Sequence, residues 1–145
     1  MNPRIVIGDW DSVREHAQAL RIEVFVVEQG VPVELEWDEA DEVSIHAVAY
    51  DDEGQPVATG RLLPDGHIGR MAVRKSARGQ GIGAAVLLSL LDEAKRLGYA
   101  ELVLHAQTHA VGFYLRYGFE IRGEEFLEAG IPHHRMLLTI RSEAR

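Results

Sequence analysis

The stretch Arg78-Gly79-Gln80-Gly81-Ile82-Gly83, RGQGIG, places three glycines at alternate positions where a helix should begin. It follows a basic run, VRKSA, and precedes a leucine-rich segment that ends at Gly98. Glycine is a poor helix former, so it needs another reason to be there. A helix start offers unpaired N–H groups and the positive end of the helix dipole. Because glycines let a large anion approach this backbone closely, the stretch predicts a phosphate cradle.

The distribution of charge also favours an anion site at this loop. The 145-residue chain has a formal net charge of −8, which argues against general nucleic-acid binding. Residues 22–60 contain no Lys or Arg and many acids, whereas residues 66–91 contain four bases and no acid. The alternative interpretation is a solvated basic loop.

Length and composition predict one domain over residues 1–145. No run of eighteen apolar residues suggests a membrane span, and the first residues do not resemble a secretory signal. The chain has no cysteine, which excludes disulfides and a covalent thiol intermediate and is compatible with a reducing cytoplasm. We therefore expect a cytoplasmic protein.

Periodicity predicts seven strands and three helices in the order βα-βββ-αβ-αββ. The expected strands are 4–9, 44–50, 56–63, 67–73, 100–106, 119–127 and 133–140. The first helix is expected after a cap at Asp11 and extends through Val27, the second follows the glycines, and a short third spans about 109–117. The strand–helix–strand crossover should place two strands parallel and adjacent, which gives an α/β (α+β) fold with a mixed sheet.

Two familiar phosphate cradles fit this loop poorly. A Walker loop needs Lys-Ser/Thr after its last glycine, but Ala84-Ala85 follow here. Gly79, Gly81 and Ala84 match G-x-G-x-x-A, but a dinucleotide fingerprint should follow a strand immediately, and here a basic loop intervenes. The acidic residue expected about twenty positions later is also missing from its place.

A third cradle fits. RGQGIG resembles the (Arg/Gln)-x-x-Gly-x-(Gly/Ala) acyl-CoA loop of the GNAT N-acetyltransferase superfamily. The stretch 67–83 is similar to that family's fourth strand plus pyrophosphate loop, and AVGFYLRYGF (110–119) to its A-x-x-F-Y-x-x-x-G-F signature. VFVVEQGVP (24–32) and AGIPHHRM (129–136) resemble the small bacterial ElaA-like and YjcF-like branch. The resemblance covers nearly the whole chain and implies helices on both sheet faces with a splay between strands four and five.

The resemblance implies acetyl-CoA as the co-substrate. Backbone N–H groups of the loop would hold the pyrophosphate, and the fourth strand would pair with the pantetheine arm. The family often has Asn where this chain has Gln107. The implied cofactor contacts are Met71, Ala72, Val73, Arg74, Arg78, Gly79, Gln80, Gly81, Ile82, Gly83, Ala84, Gln107 and Tyr114.

Three residues are candidates for the chemistry. By resemblance, Tyr114 is the general acid that protonates the leaving thiolate; its alternative is a core tyrosine packed beside Phe113. The base that prepares the amine is Glu28, His133 or bulk water through a relay. With no cysteine to carry the acetyl group, the amine should attack directly in a ternary complex.

The acceptor half is expected between residues 24–41 and the GIPHH hairpin, with Glu28 and His133 facing each other. The candidate substrate-binding residues are Glu28, Gln29, Trp37 and His133. The acidic run 34–42 would attract a cationic amine or serve as a solvated loop. No metal signature is present, because His133 and His134 are adjacent on a strand and point to opposite faces.

The sequence therefore predicts an N-acetyltransferase acting on the amine of a small molecule or peptide, without nucleic-acid or membrane partners. A homodimer is among the compatible oligomeric states. The first alternative is a catalytically weak GNAT-like module that binds CoA as a sensor. A more distant alternative is an unrelated nucleotide-binding oxidoreductase.

Overall fold

The computed structural model describes residues 3–36 and 38–140, which fold into one seven-stranded sheet with four α-helices. The strands are β1 (Arg4–Gly8), β2 (Ile45–Tyr50), β3 (Pro56–Leu62), β4 (His67–Val73), β5 (Glu101–Gln107), β6 (Glu120–Glu128) and β7 (Ile131–Thr139). The helices are α1 (Trp10–Arg21), α2 (Val33–Glu36), α3 (Ile82–Leu97) and α4 (Val111–Leu115). A π-helical segment, Ile22–Glu28, continues α1, and 3₁₀ turns precede β2, α3 and α4.

The strand order is β1-β2-β3-β4-β5-β7-β6, and β4–β5 is the parallel pair among antiparallel neighbours. The crossover that joins this pair carries α3. The predicted α/β (α+β) fold with a mixed seven-stranded sheet is confirmed.

Helices cover both faces of the sheet, as predicted. Alternation along β2 sends Val48 and Tyr50 toward α1, and Ala47 and Ala49 into the larger core under α3. The apolar face of α3 is buried in this core through Val86, Leu87, Leu90, Leu91 and Ala94. Gly98, in the left-handed conformation, ends the helix as expected. The start of α3, which carries the glycine loop, is therefore fixed by the core.

The first helix differs from the prediction at both ends. Asp9 caps it instead of Asp11, because the Asp9 backbone is extended and its Oδ1 accepts from the Ser12 N–H at 2.9 Å. Asp11 lies in the first turn. The predicted continuation to Val27 is present, but as the π-helical segment Ile22–Glu28, a wider winding that apolar periodicity does not distinguish.

The predicted splay lies between β4 and β5. The two strands are in register only at His67 with Val103 and Ile68 with Leu104. The rest of β4, through Val73, diverges from the end of β5 at Gln107. A gap between strands leaves main-chain polar groups free to bind a ligand.

The β6–β7 hairpin is tighter than predicted. The sequence suggested a loop through EAGIP, but β6 reaches Glu128 and β7 begins at Ile131. The two-residue turn is Ala129-Gly130, with φ of 52° and 76°. Positive φ at both positions is typical of a type I′ hairpin turn, and alanine at the first position hides this turn from sequence analysis.

Within the described residues, no helix has the length and apolar character that a bilayer crossing would require.

Candidate functional site

A cleft of about 1200 Å³ opens at the splay between β4 and β5. Its walls come from the π-helical segment, the β4 strand, the end of β5, α4 and the β6–β7 hairpin. A smaller depression of about 600 Å³ lies near Tyr99 and Thr139 at the start of β5 and contains none of the predicted site residues. The candidate site is therefore the larger cleft.

The glycine loop fits the phosphate group of a CoA-like ligand. Gly79 and Gly81 both have a φ of 79°, and a Cβ at either position would meet open space. Positive φ favours glycine, and the open space leaves the backbone accessible. Ile82, Gly83 and Ala84 follow as the first turn of the 16-residue α3, where N–H groups lack helical partners.

The bases of this segment are joined to the acids of the first helical region. Arg78 donates from Nη1 and Nη2 to the two carboxylate oxygens of Glu28, at 2.5 and 2.6 Å, and from Nε to the Val73 carbonyl. Arg74 pairs with Glu23 at 3.1 Å. The hydrogen bonds from Arg78 lower the pKa of Glu28 from its ordinary value. Since a carboxylate with a lowered pKa is a weaker proton acceptor, Glu28 is poorly suited to act as a base in this arrangement.

A bulge in β4 shapes the wall of the cleft that this strand forms. The β3–β4 register shifts between Thr59 and Arg61, and Arg70 has a φ of 51°. Met71 lies against Gly60, where a Cβ would come within 2.4 Å of its sulfur. Met71, Ala72 and Val73 line the cleft beyond the bulge, as the sequence predicted for a strand that receives an extended ligand arm.

Tyr114 lies on α4 and lines the same cleft. Its ring packs edge-on against Phe113 at 5.0 Å and Phe119 at 6.0 Å. Burial raises the pKa of Tyr114 to about 12. The ring therefore belongs to the core and also borders the cleft, and the role of Tyr114 as general acid stays a prediction. A phenol in this state is fully protonated at neutral pH and is available as a donor.

Gln107 connects the two predicted halves of the site. Its Nε2 donates to Oε1 of Gln29 at 2.9 Å, and its Oε1 contacts Nε2 of His109 at 2.8 Å. Gln107 also lies opposite His133 in the β5–β7 register. The predicted cofactor contact Gln107 therefore lies beside Gln29 and His133, two predicted substrate-binding residues, and the role of each stays a prediction. Trp37 lies outside the described residues.

His133 is buried at the hairpin and lines the cleft. Its Nδ1 lies 2.6 Å from the Ile131 carbonyl oxygen, and Phe126 stacks on its ring. Glu28 lines the same cleft, with its carboxylate paired to Arg78. The expected pairing of Glu28 and His133 across the acceptor pocket stays a prediction.

The acidic run is partly buried in ion pairs, so it is not simply a solvated loop, and its attraction for a cationic amine stays a prediction. Glu36 and Asp41 are buried against Arg21, and Asp41 and Asp38 bind Arg61 at 2.8 and 2.7 Å. The remaining acids of the run, Glu34, Glu39 and Glu42, are exposed. The carboxylates of Glu36, Asp38 and Asp41 thus hold this segment against the rest of the domain through ion pairs.

Arg70 joins this network from the β4 bulge. It donates to the carbonyl oxygens of Glu36 and Leu35, at 3.1 and 3.2 Å, and to Oδ2 of Asp38. One side chain therefore connects the β4 bulge to the acidic segment. Sequence reasoning missed this role, although Arg21, Arg61 and Arg70 were visible as the bases nearest to the stretch without Lys or Arg.

Sequence reasoning also missed Glu128 and did not place His105. His105 Nδ1 lies 2.8 Å from Glu128 Oε1, and both residues line the cleft with His133. The alternation of residues along the strand did not show which face of the sheet His105 occupies, and the sequence placed Glu128 in a loop. In residues 3–36 and 38–140, no cluster of three or more His, Asp or Glu side chains is arranged to hold a metal ion.

Comparison with known proteins identifies the family of the chain, and the matched segment contains the glycine loop, the diverging strands and the helix that carries Tyr114. A sequence model described as the acetyltransferase (GNAT) domain matches residues 13–140. The chain belongs to the GNAT acetyltransferase family. The match includes the glycine loop, the cleft-lining part of β4, α4 and the β6–β7 hairpin.

Relatives place this GNAT chain in a small bacterial branch. It is 41% identical over 138 residues to a Bacillus subtilis protein described as the uncharacterised N-acetyltransferase YjcF, covering 92% of this chain and 98% of the relative. An acyl-CoA N-acyltransferase from Pseudomonas aeruginosa superposes with a TM-score of 0.85 at 35% identity, over 95% of this chain and 100% of that one. Escherichia coli ElaA gives a TM-score of 0.84 at 27% identity, over 94% and 99%.

Proposed function

We propose that residues 1–145 act as one acyltransferase domain that moves the acetyl group of acetyl-CoA to the primary amine of a small molecule or peptide. The observation that carries this proposal is the cleft lined by the diverging β4 strand, by Arg78 at the start of the glycine loop and by protonated Tyr114. When bound, acetyl-CoA supplies a thioester carbonyl that an amine can attack.

The residues of the chain divide into binding and proton-handling groups. N–H groups of Gln80 through Ala84 bind the pyrophosphate at the start of α3. Main-chain groups of Met71 to Val73 pair with the pantetheine arm, and one N–H there polarises the acetyl carbonyl. Arg74 and Arg78 add positive charge at the cradle, and Gln107 and Gln29 orient ligand groups where the two halves meet.

Two side chains handle protons. The Tyr114 hydroxyl donates its proton to the departing sulfur, which leaves as a thiol. His133 removes a proton from the amine, a role for which it is better placed than Glu28, since Glu28 already binds the Arg78 guanidinium. Glu28 holds Arg78 against the cradle and borders the acceptor space.

The experiment that tests the proposal is acetyl transfer itself. The full chain is incubated with acetyl-CoA and a panel of amino sugars, polyamines, aminoglycosides and peptides, and free thiol is measured. Titration with CoA against NAD separates this proposal from a nucleotide-binding oxidoreductase. Binding of NAD with no binding of CoA would contradict the proposal.

A further inference from the structure

The β6–β7 turn brings one carboxylate between two histidines inside the cleft. Glu128 Oε1 lies 2.8 Å from His105 Nδ1, and Glu128 Oε2 lies 3.7 Å from His133 Nε2. All three residues line the cleft. The carboxylate therefore touches one histidine and approaches the reactive nitrogen of the other.

The backbone determines the tautomer of His133. Its Nδ1 lies 2.6 Å from the Ile131 carbonyl oxygen, which can only accept a hydrogen bond. Nδ1 must therefore carry the hydrogen, and in the neutral ring the lone pair is on Nε2. Nε2 is the atom on the Glu128 side, so a proton captured there lies next to a negative charge.

The rings are held in place by packing. Phe126 lies 6.0 Å from His133 in a stacked arrangement and 5.1 Å from His105 edge-on. The tight Ala129-Gly130 turn fixes Glu128 relative to Ile131, its partner in the β6–β7 register. An alanine at positive φ is a local strain, which is retained where the surrounding structure demands that geometry.

We propose that Glu128 is a positioning residue for the base His133, and that His105 in turn orients Glu128. The inference rests on the proposed function, for which it supplies the proton path on the acceptor side. Glu128 stabilises the imidazolium that forms when His133 takes a proton. Of the two histidines, His133 is buried and His105 is exposed to solvent.

The proton balance is complete with these groups. An ammonium acceptor gives one proton to His133 Nε2, and the neutral amine forms the new N–C bond to the acetyl carbon. The C–S bond breaks, its electron pair stays on sulfur, and Tyr114 protonates that sulfur. The second amine proton, lost as the amide forms, reprotonates Tyr114 through solvent, and the proton held on His133 is released to water on the Glu128–His105 side. The net reaction yields acetylated amine, CoA thiol and one proton.

Several other ionisable groups lie on the elements around His133 and must be considered in a titration. Glu125 on β6 lies 3.9 Å from His134, and His109 follows β5 beside Gln107. The further groups on the packed strands and the facing wall of the cleft are His67, His105, Arg135, Glu28, Arg70 and Arg78.

The test is a ring titration that needs no acceptor. Protein labelled with ¹⁵N-histidine is titrated by NMR as wild type, Glu128→Gln and Glu125→Gln, each saturated with CoA. Glu125→Gln is the matched control, because it removes the same charge from the same strand but lies beside His134. We expect neutral His133 to be the Nδ1–H tautomer, and its ring ¹⁵N signals to change in Glu128→Gln but not in Glu125→Gln.

With an amine that the wild type acetylates, Glu128→Gln should lower kcat and move the acidic limb of the pH profile, with the KM for acetyl-CoA unchanged. An Nε2–H tautomer, unchanged His133 ring signals in Glu128→Gln, or equal changes in both variants would overturn the inference. If no amine releases thiol, the proposed function fails, and the ring titration still reports separately on the Glu128–His133 pair.

Discussion

At the scale of single residues, the side chains that surround Tyr114 determine its protonation state. The ring is enclosed by Phe113 and Phe119, and this burial raises the pKa of Tyr114 to about 12. The phenol therefore stays protonated across the physiological range and can give its proton to a thiolate as it forms.

Tyr114→Phe keeps the packing and removes the donor. Because one well-placed general acid contributes roughly a hundred-fold or more, kcat should fall by about that factor while CoA affinity changes little. Steady-state kinetics and calorimetry measure the two quantities. Tyr117→Phe, which removes a hydroxyl three residues later from a side chain that does not line the cleft, should behave as wild type. If Tyr114→Phe and wild type have the same kcat, Tyr114 is not the general acid and contributes only to packing.

Gly81 tests the cradle at a single backbone position. Gly81→Asp introduces a side chain at a φ of 79° and a negative charge where phosphate should approach, so CoA binding should be abolished. Gly98→Asp is the control, since Gly98 has a φ of 83° at the other end of α3. It shares the backbone strain, about 1–2 kcal/mol, and should keep CoA affinity. Calorimetric binding by folded Gly81→Asp protein would refute the cradle.

Sequence analysis placed residues on the correct elements where a short local motif contains them. The glycines and Tyr114 lie in short motifs, and their neighbours in sequence are also their neighbours in space. The partner of Arg78 was hidden, because Glu28 lies fifty positions away and the contact depends on how α1 continues past Arg21. Side-chain pairs across elements require the packed structure.

At the scale of elements, the segment from α2 to β2 is held by charge rather than by apolar burial. Arg21 and Arg61 converge on Asp41, with Oδ1 of this carboxylate 2.8 Å from Nη1 of each. Burial alone would raise the pKa of Asp41, but the two guanidiniums outweigh it and hold the pKa below its ordinary value. Hydrogen bonds from Arg61 likewise lower the pKa of Asp38.

Asp41→Asn leaves two buried guanidiniums without their shared charge. Removing one partner of a buried ion pair costs about 3–5 kcal/mol, so the free energy of unfolding should fall by that order in chemical denaturation. Glu42→Gln removes an exposed acid one residue later and should change it by less than about 0.5 kcal/mol. A loss as small in Asp41→Asn as in the control would mean that the network contributes nothing to stability.

The same carboxylates give a pH dependence with a definite sign. The pKa values of Asp38 and Asp41 are lower in the folded protein than the value of about 3.9 for an aspartate in the unfolded chain. The two carboxylates therefore stabilise the fold fully at pH values above that unfolded-state pKa. This stabilisation is lost as the pH falls through their pKa values in the folded protein. The free energy of unfolding should therefore decline below about pH 5, and the decline should be shallower in Asp41→Asn. Denaturation curves at several pH values measure both slopes, and parallel slopes would contradict this account.

Most elements were predictable from periodicity, and the exceptions have physical causes. The strand His67–Val73 was predicted with its observed bounds, because turn residues flank an alternating apolar pattern. The π-helical segment after Arg21 and the Ala129-Gly130 turn were not, since both depend on backbone geometry that composition does not encode. The hairpin error mattered most, because it concealed Glu128 beside His133.

At the scale of the whole molecule, the two halves of the sheet meet at the splay between β4 and β5, and each half contributes different residues to the cleft. The half before α3 supplies the diverging β4 strand and the clamped acidic segment, and the half after it supplies α4 and the histidine-bearing hairpin. The cleft of about 1200 Å³ between them is lined by Arg78 of the glycine loop, by Tyr114 and by the two base candidates, Glu28 and His133. The fold class followed from the order of elements, whereas the sequence had grouped residues 24–41 with the GIPHH hairpin.

The measurement that tests the central claim most directly is the stoichiometry of acetyl transfer. The full chain is incubated with acetyl-CoA and each amine of the panel, and mass spectrometry quantifies N-acetylated amine against free CoA thiol, with Tyr114→Phe as the matched protein control. We predict that at least one amine yields acetylated product and thiol in equal amounts, at a rate that falls about a hundred-fold in Tyr114→Phe. CoA binding without acetylated product from any amine would contradict this account and indicate a module that binds the cofactor without using it.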